Sequence, residues 1–185
     1  MTERTCKGAK VLNLGCGQKR LEGAINLDRI AAVNPNVVHD IDNFPWPFAD
    51  NQFEEVLAHD IIEHCTDVVA AMEEIHRICQ SGAVVRVTTP HFSSPNSYTD
   101  PTHRYHFGYL SFDYFTGDHD FDFYTDKRFR RRKAQIIFHP TLVNKLVWRL
   151  ANRYPEAYER RWTWMFPAWF LYFELEVLKQ TKPVT

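Results

Sequence analysis

The stretch VLNLGCGQKRLEGAINLDR, residues 11–29, decides how the rest of the chain is interpreted. A short apolar run enters a turn that contains Gly15 and Gly17, and a second apolar run ends at Asp28. Two strands joined through a glycine turn are typical of a nucleotide-binding unit, in which the ligand lies at the carboxyl ends of the strands. An aspartate at that end can accept hydrogen bonds from both hydroxyls of a ribose. The stretch therefore predicts an α/β fold with a nucleotide site.

The same turn departs from the dinucleotide-binding pattern. The third glycine of that pattern, which lets a helix pack closely on the strand, is replaced here by Arg20. No GK[ST] sequence follows the turn, which excludes a P-loop. Only eight residues separate Gly17 from Asn26, so the first crossover has room for barely more than one helical turn. The turn thus argues against a nicotinamide oxidoreductase and favours a ligand without a pyrophosphate.

Length and composition indicate a single domain over residues 1–185. The formal net charge of −1 gives no global attraction to a polyanion. The polar start does not resemble a signal peptide, and the longest uncharged run near the C-terminus is too short to span a bilayer. The four cysteines, at positions 6, 16, 65 and 79, form neither a zinc pattern nor a disulfide framework. We therefore expect a cytoplasmic protein, either a monomer or a homodimer.

Strand and helix signals alternate through the first ninety residues. After Asp67, a candidate N-cap, apolar residues recur at helical spacing, and Gly82 occupies the position of a helix C-cap. Strands that alternate with crossovers favour an α/β domain with a mainly parallel sheet. The predicted strands are rich in Val, Ile and Leu and cover residues 9–15, 24–28, 36–41, 53–62 and 83–90.

The second half of the chain is less regular. Residues 93–107 form a polar loop in which a helix is predicted to begin, and a strand follows at 133–139. A helix is predicted over 140–154, with Pro140 near its start, and a half-exposed final strand lies near the C-terminus. The run KRFRRRK, residues 127–133, has six basic residues in seven and reads as an exposed approach to a strand, or alternatively as a phosphate-binding patch.

Four segments of the first half occur in the order and spacing of a known family. They are VLNLGCG, INLD, HDIDNFPWPFADNQFEEVLAHDIIEH and AAMEEIHRICQSGAVVRVTTPH, and they cover residues 9–92. In these segments the chain resembles the class I S-adenosylmethionine-dependent methyltransferases, most closely the small type 11-like group. The resemblance implies a three-layer Rossmann-like fold with a seven-stranded sheet of order 3-2-1-4-5-7-6, mostly parallel with the last strand antiparallel. It also implies a cofactor-binding half over 9–92 and an acceptor-pocket half over 92–185.

The resemblance also assigns residues to the cofactor, S-adenosylmethionine. The glycine turn passes under the methionine and ribose, an aspartate holds the ribose hydroxyls, and an acid and an apolar residue meet the adenine. One departure from the family is Asn13, where an acid is usual, because asparagine does not offset the positive charge of the cofactor. The implied cofactor-binding residues are Asn13, Gly15, Cys16, Gly17, Asp28, Asp40, Ile41 and His59.

The acceptor side of the predicted site depends on the loop after the fifth strand. Methyl transfer to a hydroxyl needs an aligned acceptor and usually a group that removes its proton. Asp100 and Pro101 are a good N-cap and first residue of a helix, which places His103 in the first turn as a neutral base. Asp100 or His91 is predicted to orient this base, and His106 lies three residues on along the same face.

The same residues raise the question of a metal. His91, Asp100, His103 and His106 could form a divalent site, but the oxygens of a capping aspartate are already occupied, so no metal is predicted. The sequence thus predicts methyl transfer to a small-molecule or sugar acceptor, at oxygen. The alternative is a non-catalytic or partner-activated cofactor-binding subunit. The basic run is too local to favour a nucleic-acid partner.

Overall fold

The computed structural model describes residues 10–117 and 122–179, so Cys6 lies outside the described part of the chain. In that part there are seven strands: β1 Val11–Leu14, β2 Ile25–Asp28, β3 Val37–Val38, β4 Phe53–His59, β5 Cys79–Pro90, β6 Arg128–Ile137 and β7 Phe170–Leu178. The α-helices of the described residues are α1 Val68–Ile78, α2 Asn96–Thr99, α3 Leu142–Arg153 and α4 Pro155–Arg161. Short 3-10 turns include Ile62–His64 and Ser111–Phe115.

The strands form one sheet of order β3-β2-β1-β4-β5-β7-β6, which confirms the predicted fold class. The first five strands pair in parallel, and β7 pairs antiparallel with both β5 and β6. Parallel strands present their carboxyl ends at one edge of the sheet, and in open α/β sheets ligands bind at that edge. The loops after β1, β2, β3 and β4 therefore meet where the sequence predicts the cofactor.

The burial of the strands follows their position in the sheet. Consecutive residues are buried in β1, whereas β4 and much of β5 alternate between buried and less buried residues. Leu12, Val56 and Val85, which are register partners across these strands, are completely inaccessible to solvent. In β7 every second residue is buried, as a half-covered strand requires. Among the described residues, no helix is both long and apolar enough to cross a bilayer.

Three asparagines replace the usual helix between β1 and β2. Residues 15–24, all described, form turns without a helix. The Asn13 side-chain amide donates to the carbonyl oxygen of Lys19 and to Oδ1 of Asn26, both at 2.9 Å. The Asn26 amide in turn donates to Oδ1 of Asn36 at 2.9 Å. Side-chain amides thus satisfy the backbone groups that a helix would have paired internally, which explains how so short a connection folds.

The start of α1 is as predicted, but its end is not. Asp67 is the N-cap, and its carboxylate accepts from the backbone N–H of Ala70 at 2.9 Å. The prediction of Gly82 as C-cap is wrong, because the helix ends at Ile78 and the chain passes directly into β5 at Cys79. Cys79 is completely buried and pairs with Phe53 of β4, so the sheet holds its backbone extended. Gly82 lies inside the strand segment with a φ of +83°.

The basic run 127–133 is part of β6 rather than an approach to a strand, because its residues pair with β7. Arg130 and Arg132 both contact the carboxylate of Glu176, at 3.4 and 3.1 Å. Arg131 forms a salt bridge to Asp113 and stacks on the ring of Tyr109. The carboxylates of Glu176 and Asp113 thus offset part of the positive charge of these three guanidinium groups.

Candidate functional site

A cavity of about 290 Å³ lies at the carboxyl edge of the sheet. Residues that follow β1, β2, β3 and β4 form its wall, together with the loop after α2. Its lining combines carboxylates and other polar groups with the apolar side chains of Leu27, Ile41 and Ile61. Its lining consists of Gly15, Leu27, Asp28, Arg29, His39, Asp40, Ile41, Asp42, Asp60, Ile61, His64, Asp100 and Thr102.

The glycine turn is held by Asp28 at the end of β2. The Asp28 carboxylate accepts from the backbone N–H of Gly17 at 2.8 Å and from that of Ile30 at 2.9 Å. Gly15 and Gly17 adopt positive φ angles of 64° and 48°, a conformation that favours glycine. A Cβ atom on Gly15 would lie 2.5 Å from Cγ1 of Ile61, so that position also has no room for a side chain. The turn is thus compact and leaves the Asp28 carboxylate at the cavity wall.

The far end of the cavity has the acid and the apolar side chain predicted to meet an adenine. Asp40 and Ile41 follow β3 and both line the cavity. Oδ1 of Asp40 accepts from the backbone N–H of Asp42 at 3.1 Å, which orients its carboxylate. Ile41 is 9% exposed and offers an apolar surface against which a base can pack.

Four of the predicted cofactor residues do not line the cavity. Asn13 uses its amide within the turn, Cys16 is buried, and Gly17 points its N–H at Asp28. His59 bonds through Nδ1 to the hydroxyl of Thr88 at 3.1 Å, and burial lowers the pKa of its imidazole. The cavity instead includes Asp60, Ile61 and His64, which sequence reasoning did not assign. Their signal was present in the segment DIIEH, since that segment directly follows β4.

A second, more open pocket of about 550 Å³ adjoins the first. Asp60 and Asp100 line both, so the two spaces share a wall. The second pocket is lined by Asp60, Glu63, Pro90, Asn96, Thr99, Asp100, Pro101, His103 and Phe170. Residues from beyond position 92 form most of this pocket.

Comparison with known proteins identifies the domain. A family model described as a methyltransferase domain, of type 11, matches residues 21–87. No curated protein matches the chain. A S-adenosylmethionine-dependent methyltransferase from Archaeoglobus fulgidus has the same fold, with a TM-score of 0.61 and 18% identity over 92% of this chain and 87% of that one. Residues 21–87 thus match a methyltransferase domain, and the described chain has the fold of S-adenosylmethionine-dependent methyltransferases.

Other methyltransferases share the fold at similarly low identity. A S-adenosylmethionine-dependent enzyme from Mesorhizobium loti gives a TM-score of 0.59 at 13% identity, over 91% of each chain. A methyltransferase from Haloferax volcanii was solved in complex with the Trm112 methyltransferase activator. It gives a TM-score of 0.56 at 15% identity, over 94% of this chain and 84% of that one. The predicted family is thereby confirmed, and S-adenosylmethionine is the cofactor of this family.

Glu63, which lines the second pocket, has a buried carboxyl. Glu63 is 1% exposed, and neither carboxyl oxygen has a hydrogen-bond partner among the described residues. Burial raises the pKa of this carboxyl to about 7. The hydroxyl of Thr89 is near enough to lower that pKa slightly, yet neither group reaches hydrogen-bonding geometry with the other. Buried polar groups are normally paired, so the unpaired oxygens of this carboxyl are exceptional among the described residues.

Two imidazoles face this carboxyl. Nε2 of His103 lies 4.0 Å from Oε1 of Glu63, and the rings of His64 and His103 meet edge to face at a centroid distance of 4.6 Å. Burial, with a smaller contribution from His103, lowers the pKa of the His64 imidazole. Glu63, His64 and His103, here called the EHH cluster, therefore lie where the two pockets meet.

The backbone around the EHH cluster differs from the prediction. No helix begins at Asp100, because the backbone N–H groups of Arg104 and Tyr105 both turn back to the carbonyl oxygen of Glu63. Asp100 instead accepts from the backbone N–H and the hydroxyl of Thr102, at 2.8 and 2.7 Å. The hydroxyl of Thr102 lowers the pKa of the Asp100 carboxyl. The prediction that a helix dipole acts on His103 is therefore wrong.

The predicted neighbours of His103 lie elsewhere. His91 is completely buried and bonds to Oγ of Ser93 at 2.8 Å and to the carboxylate of Glu159 at 3.1 Å. His106 bonds to Oγ of Ser97 at 2.7 Å and does not share a helix face with His103. The four residues weighed for a metal therefore do not converge, and only His103 belongs to the EHH cluster.

Proposed function

We propose that this chain transfers a methyl group from S-adenosylmethionine to a hydroxyl oxygen of a small molecule or sugar. The observation that supports this most is the shared wall of the two pockets. Because Asp60 and Asp100 line both, a cofactor in the first pocket and an acceptor in the second meet without crossing protein. Such proximity is the main requirement of an in-line displacement.

In this proposal the first cavity holds the cofactor through Asp28 at the ribose and through Asp40 and Ile41 at the adenine. The absence of a side chain at Gly15 lets the backbone approach the ligand. Bound there, the cofactor supplies an electrophilic methyl group on a positively charged sulfonium. Five carboxylates and a single arginine line the cavity, which favours a cationic ligand. These carboxylates offset the loss of the usual acid at Asn13.

The EHH cluster activates the acceptor, with His103 as the side chain that faces it. A lone pair of the acceptor oxygen forms the new O–C bond while the C–S bond breaks and leaves its electron pair on sulfur. The hydroxyl proton leaves toward the open second pocket. The predicted partners Asp100 and His91 act differently, since Asp100 positions Thr102 and His91 lies outside both pockets.

A His103→Ala variant is expected to keep cofactor affinity within about twofold and to lose methyl transfer by at least about tenfold, because His103 lines only the acceptor pocket. Calorimetry with S-adenosylmethionine measures the first quantity, and transfer of a labelled methyl group to a panel of sugars and phenols measures the second. His139→Ala, an exposed histidine outside both pockets, is the matched control. Equal transfer rates in wild type and His103→Ala would contradict the assignment.

A second candidate function is a cofactor-binding subunit that needs a partner. It is favoured by an apolar face on α3, where Leu142, Leu146 and Leu150 are 84%, 65% and 55% exposed. The Haloferax volcanii methyltransferase was solved with an activator protein, which is a precedent within the same fold. This reading predicts cofactor binding with no transfer to any acceptor by the isolated chain. Transfer by the purified chain alone excludes it.

A further inference from the structure

The EHH cluster brings together three ligand atoms, one each from Glu63, His64 and His103, within 4.8 Å of one another. Nε2 of His103 lies 4.0 Å from Oε1 of Glu63, and neither carboxyl oxygen has a hydrogen-bond partner among the described residues. The Glu63 side chain is 1% exposed. A buried carboxyl in this state costs free energy unless an occupant replaces the missing donors.

The hydrogen bonds around the two histidines settle which ring nitrogen is free. Nδ1 of His103 lies 3.3 Å from the carbonyl oxygen of Ser97, which can only accept, so Nδ1 of a neutral His103 holds the proton. The hydroxyl of Thr102 donates to the Asp100 carboxylate at 2.7 Å, so its oxygen accepts from Nδ1 of His64 at 2.9 Å. Both imidazoles therefore present an unprotonated Nε2.

A ring nitrogen of each histidine and a carboxyl oxygen of Glu63 thus lie within 4.8 Å of one another. While the Glu63 carboxyl is ionised, these acceptors repel one another unless a positive species lies between them. We propose that Glu63, His64 and His103 bind one divalent transition-metal ion, with Zn²⁺ as the simplest candidate. Two imidazoles and one carboxylate, with a fourth position left open, are the ligand set of catalytic zinc sites.

The surroundings support this assignment. Metal-bound histidines usually donate their other ring nitrogen to a carbonyl or carboxylate, as His103 does to Ser97 and His64 does through Thr102 to Asp100. Zinc ligands about 2.0–2.2 Å from the ion lie roughly 3.4 Å apart, so the cluster closes by about an ångström on binding. Imidazole ligands favour a transition metal over Mg²⁺, which prefers oxygen.

The position of the cluster indicates what the ion does. His64 lines the cofactor cavity, whereas Glu63 and His103 line the acceptor pocket. The open fourth position therefore faces the acceptor, and a hydroxyl bound there loses its proton more readily. The proton leaves to solvent, and the oxygen lone pair attacks the methyl carbon. This role rests on the proposed function, whereas binding of the ion does not.

The test is a Zn²⁺ titration of protein that has been treated with a chelator and desalted, without cofactor or acceptor. We expect about one Zn²⁺ per chain, measured by calorimetry and by elemental analysis. Glu63→Gln, His64→Ala and His103→Ala should each weaken binding by at least about tenfold. Thr102→Val removes the hydrogen-bond partner that orients His64 and should weaken Zn²⁺ binding by roughly 10- to 100-fold. Circular dichroism checks that each variant folds.

His106→Ala is the matched control, because His106 lies in the same loop but outside the cluster. It should bind Zn²⁺ like the wild type. The inference is overturned if the folded wild type binds no Zn²⁺, or if its binding is unchanged in Glu63→Gln and His103→Ala. Because no methyl acceptor is present, failure here leaves methyl transfer untouched, and failure to find an acceptor leaves the metal site untouched.

Discussion

Replacing Asp28 with alanine is expected to weaken S-adenosylmethionine binding by about 100-fold or more. In the proposed site this carboxylate accepts from two ribose hydroxyls, and a hydrogen bond to a charged group contributes about 1.5–3 kcal/mol. Two such bonds lost together, at about 1.4 kcal/mol per tenfold, account for that decrease. The variant also releases the backbone N–H groups of Gly17 and Ile30, so the glycine turn loses its anchor. Calorimetry measures the change in Kd.

The control for Asp28 is Glu22→Ala, an exposed acid in the same connection that does not line the cavity. It should bind the cofactor with wild-type affinity. Urea denaturation of the apo proteins separates lost affinity from lost stability. A Kd for Asp28→Ala within threefold of the wild type would show that the ribose is bound elsewhere.

Placing a methyl group on Gly15 is expected to lower the free energy of unfolding by about 2–5 kcal/mol. The left-handed backbone at φ +64° accounts for about 1–2 kcal/mol of this. The new Cβ would meet Cγ1 and Cδ1 of Ile61 at 2.5 Å, and such overpacking costs about 1–3 kcal/mol more. In a chain of this size each kcal/mol lowers Tm by roughly 2–4 °C, so differential scanning fluorimetry resolves the change.

A variant at the second glycine of the turn separates the cost of backbone strain from the cost of the clash with Ile61. Gly17 has a φ of +48°, but a Cβ built on it meets nothing within 4 Å, so Gly17→Ala bears only the backbone cost. Adding Ile61→Ala to Gly15→Ala should recover part of the lost stability, because the clash is removed while the backbone strain remains. If Gly15→Ala and Gly17→Ala lose equal stability, and the double variant recovers none, then the Ile61 side chain moves aside without cost and no clash contributes.

The order of the sheet was predicted through the family resemblance, whereas the strands and the residues that follow them were predictable because their signals are local in the sequence. Each strand is a short apolar run, and each cavity residue such as Asp28 or Asp40 directly follows one. The ends of parallel strands meet at one edge whatever the loops do. The prediction of where α1 ends was wrong. Glycine is the residue type that commonly caps a helix, which favoured Gly82, but Cys79 pairs with Phe53 and the backbone is therefore extended three residues earlier.

The role of Asn13 could not be predicted from the sequence, because it depends on contacts with other residues of the fold. An acid is usual there, and the sequence does not show what replaces it. The structure shows a donor instead: the Asn13 amide bonds to Lys19 and Asn26, which an aspartate at neutral pH cannot do. The short crossover and the absence of an acid at position 13 are therefore linked. The Asn13 amide stabilises the connection between β1 and β2, which contains no helix.

The sequence by itself determined the sheet, the glycine turn and the family, because periodicity and ordered motifs need no knowledge of distant contacts. Only the tertiary structure decided the EHH cluster, because Glu63 and His103 are separated by two helices, α1 and α2, and by the strand β5. The sequence Asp100-Pro101 favours a helix start, yet Arg104 and Tyr105 bond to the carbonyl of Glu63 instead. That long-range docking outweighs the local preference, and it turns His103 toward Glu63 and His64.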